Sequence, residues 1–141
     1  MGRITRTNYG LTSELRLSNA QIKLLTTTPL VVVPAKVGTI WLPQSLSLFS
    51  DTVAGVYATT ATFQLGITGA LTYWNTFTLV ESELDSGALS YCMQSIVLEP
   101  PAHGPEISNL PLLFSANANP TGGNIANFAI LRVHYVETPI A

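Results

Sequence analysis

The sequence predicts an all-β fold: one antiparallel β-sandwich, jelly-roll-like, of about eight or nine strands, with an extended N-terminal arm. Three observations carry this. β-Branched and aromatic residues recur in short runs, those runs are separated by Pro, Gly, Asn and Asp, and helical periodicity is weak nearly throughout. The 141-residue chain has the length of a single domain, able to bury roughly two-thirds of the surface its unfolded form exposes. The expected division is a polar arm over 1–12 and a sandwich over 13–141.

Taken in order, "ELRLSNAQIKLL" (14–25) reads as a helix or an alternating strand, and the spacing of Leu15 and Leu17, then Ile22 and Leu24, favours the strand. Pro29 and Pro34 bracket "LVVV" (30–33), so that strand is short or lies at a sheet edge, where a missing amide donor is tolerated. "VGTIWL" ends at Pro43. "SLSLFS" (45–50) alternates, placing Leu46 and Leu48 opposite the serines, and "DTVAG" turns the chain. "VYATTATFQLGI" (56–67) has the Thr and aromatic content of a strand.

From Thr68 to Gly87 the pattern blurs into a long loop with a strand around Phe77 to Val80. "ALSYCMQSIVLE" (88–99) is a strand stopped by the stiff "PPAHGP". "LPLLFSANA" (110–118) follows, "NPTGGN" (119–124) is a turn, and "IANFAILRVHYVE" (125–137) is a long closing strand.

Composition narrows the function. Only 10% of residues are charged, against about 25% in an ordinary soluble domain. A surface so poor in charge neither repels a like partner strongly nor penalises its own desolvation, which points to a life spent against other protein. A net charge of −2 and six scattered basic residues argue against nucleic acid, whose binding rests on clustered Lys and Arg. Arg3, Arg6, Arg16 and Lys23, opposed only by Glu14, instead mark a basic N-terminal segment. The first residues hold no apolar run of the signal-peptide kind, and the longest aliphatic run, "LVVV", is far short of the ~20 residues of a membrane-spanning helix, so no membrane partner is expected.

The reactive side chains stand alone. His103 and His134 have no partner at ligand spacing, Cys92 lies in an apolar strand with nothing basic beside it, and one cysteine makes no internal disulfide. The expectation is a non-enzyme with no cofactor and no metal. Glu81, Glu83 and Asp85 lack the full calcium-loop pattern and read as a solvated acidic loop or a docking site for a neighbour's basic arm. Tyr73 and Trp74, side by side in a polar setting, can stack on a sugar or anchor a protein interface.

Two segments, "SNAQIKLLTTTPLVVVPA" (18–35) and "TGGNIANFAILRVHYVE" (121–137), about a quarter of the chain, make it resemble the small structural proteins of tailed-bacteriophage heads: the capsid decoration, or cement, proteins of trimeric β-sandwich or jelly-roll type. The resemblance implies a homotrimer on the outside of the virion, assembled in the host cytoplasm. It would bind the major capsid protein at local symmetry axes and bridge neighbouring subunits. The expected capsid contact is the arm carrying Arg3, Arg6 and Tyr9, which cannot bury itself but can order on an acidic patch. The alternatives are a carbohydrate-binding or host-adhesion module working through the Tyr73, Trp74, Glu81, Glu83, Asp85 loop, or another virion part such as a head-fibre base or tail component.

Overall fold

The computed structural model describes residues 2–7, 10–58, 63–67, 76–77, 89–95 and 109–139. These form β1 (Arg3–Thr7), β2 (Gly10–Ser18), α1 (Asn19–Ile22), β3 (Leu30–Val33), β4 (Thr39–Asp51), β5 (Tyr57–Ala58), β6 (Phe63–Ile67), β7 (Thr76–Phe77), β8 (Leu89–Ser95), β9 (Leu112–Ala116), β10 (Thr121–Gly122) and β11 (Phe128–Pro139). One sheet has the order β1-β2-β11-β4-β8, the other β3-β9-β6-β7, and β5 with β10 makes a small ribbon.

The wrapping follows from four nested antiparallel pairs: β2 with β11, β3 with β9, β4 with β8, and β6 with β7. First pairs with last, second with second-last, and so inward, with the ribbon strands and β1 set aside. That is one long hairpin wound into two sheets, the jelly-roll arrangement. The predicted all-β sandwich is the fold observed.

Alternation explains which faces meet. Leu11, Ser13, Leu15 and Leu17 of β2 are buried, as are Ala129, Leu131, Val133 and Tyr135 of β11. Leu15, Leu131 and Leu48 form one register row, and Ser13, Val133 and Leu46 the next. Against them pack Val32 and Val33 of β3, Leu65 and Phe63 of β6, and Leu112 and Phe114 of β9. Each such side chain contributes about 1.5–3 kcal/mol by leaving water. Ser13 is one of the polar residues in this layer, and its hydroxyl donates to the Val32 carbonyl at 2.6 Å, tying the two sheets together.

The structure refines the element boundaries. The chain over 14–25 is strand only to Ser18; a capping box, with the Ser18 side chain accepting from Gln21 N–H and the Gln21 side chain reaching back to Ser18 N–H, then turns it into α1. The two strands expected on either side of Pro43 are one strand, β4. Its register with β11 shifts between His134 and Tyr135, a bulge beside Pro43 that lets the strand run through the proline. β3 is an edge strand, as its flanking prolines predict. The segment 56–67 divides into β5 and β6. The expected arm also takes on structure: Arg3–Thr7 pairs with β2 from Arg3 opposite Glu14 to Thr7 opposite Gly10, so the boundary between 12 and 13 falls inside a strand. Alternating Arg, Ile and Thr is weakly patterned but compatible with a solvated edge.

Candidate functional site

Of the residues expected to contact a partner, Arg3 is exposed on edge strand β1, and the Arg6 backbone pairs opposite Leu11. Tyr9, Tyr73, Trp74, Glu81, Glu83, Asp85 and His103 lie outside the described residues. Cys92 sits in β8 in register with Leu48. His134 shares the outer face of the five-stranded sheet with Arg132, as their alternation predicts, and its Nδ1 lies 2.8 Å from the Thr12 hydroxyl. Among the described residues no three His, Cys, Asp or Glu side chains gather as a metal site, and no helix is long and apolar enough to cross a membrane.

That outer face is graded. Toward the Pro43 end it is polar, with Thr12, His134 and Ser45 in one row. The next row holds Glu14 and Arg132, whose Nε donates to Glu14 Oε2 at 2.5 Å, with Arg3 opposite Glu14 on β1. Beyond it the face becomes apolar: Ile130 and Phe49 are opposite one another, and Phe128 lies 6.1 Å from Phe49, centroid to centroid. The Arg16 guanidinium covers the Phe128 ring at 3.8 Å, a cation–π contact worth about 0.5–1 kcal/mol at an exposed site.

The end of the sandwich beyond these aromatics is the most distinctive surface. Two four-residue turns stand there, Thr52–Gly55 after β4 and Asn124–Asn127 before β11, each closed by a backbone hydrogen bond from its last residue to its first at 3.1 and 2.9 Å. Each also carries a side-chain cap: Asp51 Oδ1 accepts from Val53 N–H, and Asn124 Oδ1 accepts from Ala126 N–H. The Asn127 side chain then donates from Nδ2 to the Gly55 carbonyl at 2.6 Å, clamping one turn to the other. Turn tips ordinarily carry Gly, Asn, Asp or Ser. Here the two central residues are Val53-Ala54 and Ile125-Ala126, and Ile125 is 91% and Val53 64% exposed. Val56 and Leu89 add exposed aliphatic surface at the same end, Leu89 being in register with Asp51.

A concave counterpart lies on the flank of that end. α1 is held beside the second turn by Asn19, whose Oδ1 accepts from the buried Tyr57 hydroxyl at 2.7 Å. Between α1 and the start of β3 opens a hollow of about 170 Å³ lined by Ala20, Gln21, Leu24, Thr28 and Leu30. It runs on, through Gln21 and Leu30, into a shallow one of about 320 Å³ beside Val31 and Pro34. Across 18–28, 51–58 and 117–128 the only charged residues are Lys23 and Asp51.

The sequence does hold the signal for this end: aliphatic residues where "DTVAG" and "GGNIAN" should be polar, although it reads simply as turns. What it does not hold is that the two turns, about 70 residues apart in the chain, meet.

No protein-family model and no curated protein matches the chain. Among solved structures, a chain of the cyanophage Pam1 capsid asymmetric unit is similar over 96% of this chain and 92% of that one, at 14% identity and a TM-score of 0.45. A likeness so shallow assigns neither family nor role.

Proposed function

We propose that this chain is a structural virion protein that binds the outside of a phage capsid as a trimer and cements neighbouring capsid subunits. The observation that carries the reading is the apolar end. Two clamped turns hold exposed valine and isoleucine in water, next to an apolar hollow, with one lysine and one aspartate as the only charges in the segments that build them. Rigid aliphatic tips of this kind gain free energy only when another surface covers them. The charge-poor composition supports the same reading, as does the resemblance of 18–35 and 121–137 to capsid cement proteins. On this reading the N-terminal hairpin, with Arg3 and Arg6 on its edge strand, faces acidic groups of the shell.

A protein that binds only the assembled shell stabilises it by mass action. Purified protein added to capsids of its own phage that lack it should co-sediment with them and raise the temperature at which they break open. Capsids that neither retain the protein nor change their disruption temperature would overturn the reading.

A further inference from the structure

We infer that the apolar end is the contact between copies, with the Val53/Ile125 tips of one copy seated in the Leu24/Leu30 hollow of the next. The inference rests on the reading of the chain as an assembling structural protein and names the partner of its apolar end.

Three features select a second copy. Convex and concave apolar surfaces occur at the same end of the same chain but on different elements, the tips on the turns flanking β4 and β11 and the hollow between α1 and β3. Two unlike patches that fit one another meet either reciprocally across a two-fold axis or head to tail, and head-to-tail contacts, the form the proposed trimer takes, close into rings when the rotation between copies allows it. The hollow, of about 170 Å³, offers aliphatic tips an apolar wall: its lining is methyl and methylene surface of Ala20, Leu24 and Leu30, relieved by Gln21 and Thr28.

The two charges complete the match. Asp51 stands at the base of the first tip, where its carboxylate caps Val53 N–H. Lys23 directly precedes Leu24, which lines the hollow. Seating a tip in a neighbour's hollow brings the acid of one copy toward the base of the next, and the further charge beside the hollow, Arg16 in the adjoining shallow depression, is also of the sign that attracts Asp51. The tips also need little ordering on contact, because their hydrogen bonds are already made within one copy.

The test is solution mass by light scattering across a dilution series, without shells. The wild type should show a species of roughly 45 kDa, three times the 15.1 kDa chain. Ile125→Asp on the tip and Leu24→Lys on the rim both alter exposed side chains, so both should fold with an unchanged circular dichroism spectrum. Each should weaken association at least about tenfold. The double variant, which sets an acid against a base across the same contact, should recover most of the loss. A wild type that stays monomeric at every concentration overturns the inference, as does an Ile125→Asp protein of unchanged mass or a double variant no better than the singles. Shell binding is read separately. An Ile125→Asp protein that keeps its mass but no longer co-sediments with capsids removes the contact between copies and leaves the cementing role standing. A trimer broken by these substitutions that never binds capsids does the reverse.

Discussion

Gly123 shows how much of this molecule turns on single positions. Its backbone is left-handed, φ +76°, and a Cβ placed there would lie 2.3 Å from Cε1 of the buried Tyr57 ring. Gly123→Ala therefore combines backbone strain with overpacking and should destabilise by about 2–4 kcal/mol in a denaturant titration. Gly38 provides the control. It has a similar φ of +74° with nothing within 4 Å of its Cβ position, so Gly38→Ala should show the strain alone, about 1–2 kcal/mol. Equal effects at the two sites would mean that the Tyr57 ring moves aside freely. Tyr57 itself links stability to pH. Burial pushes its phenol above the ordinary value of 10.0, with the neighbouring Asn127 side chain acting the other way. The unfolded chain thus releases this proton at lower pH than the native protein, so the native state keeps its full stability below pH 10 and loses it as pH rises past that value. A urea series between pH 8 and 11 should show the fall, and Tyr57→Phe, though less stable throughout, should flatten it. The sequence announces "TGGN" as a turn but not its packing, because the ring that demands glycine comes from a strand 66 residues earlier.

At the scale of elements, alternation made β2 and β11 legible, because in each one face is core and the other is solvent-facing. Prolines made β3 legible as an edge. Pro43 is misleading for a physical reason: a bulge at that position lets the strand run through it. Over 14–25 helix and strand compete in the sequence, and both are present. The alternation of Leu15 and Leu17 belongs to β2, while α1 is too short at four residues to show a period and is marked locally by its capping box, Ser18 and Gln21. Ser18→Ala should cost about 1 kcal/mol in unfolding free energy and loosen the wall of the flanking hollow. β1 lies outside the nested pairs, with Arg3, Ile4 and Thr5 all exposed. Deleting residues 2–7 should accordingly leave a cooperatively folding jelly roll, with a lowered Tm from the unpaired edge of β2, while weakening attachment to capsids. Loss of cooperative unfolding would make β1 part of the core structure instead; undiminished attachment would remove Arg3 and Arg6 from the shell contact.

For the whole molecule, the distribution of its few charges separates two kinds of adhesion. The segments bearing Val53 and Ile125 and the neighbouring hollow hold Lys23 and Asp51 and are otherwise uncharged, with Arg16 at their border over Phe128, whereas Arg3, Glu14 and Arg132 gather on the N-terminal hairpin and the sheet face beside it. Apolar contact strengthens or holds steady as salt rises, while attraction between exposed charges is screened over about 10 Å at 0.1 M and 3 Å at 1 M. Between 0.05 and 0.5 M sodium chloride the mass of the free protein should therefore stay constant, and the fraction retained on capsids should fall. Truncating Arg3 to Ala should reduce the salt dependence of retention without changing the mass. If instead the mass drops with salt while retention holds, the roles of the two surfaces are exchanged: the charged hairpin joins the copies and the aliphatic tips grip the shell. Separate surfaces for the two contacts would let a trimer form before it meets a capsid and remain intact when released, because no residue of one contact is needed for the other.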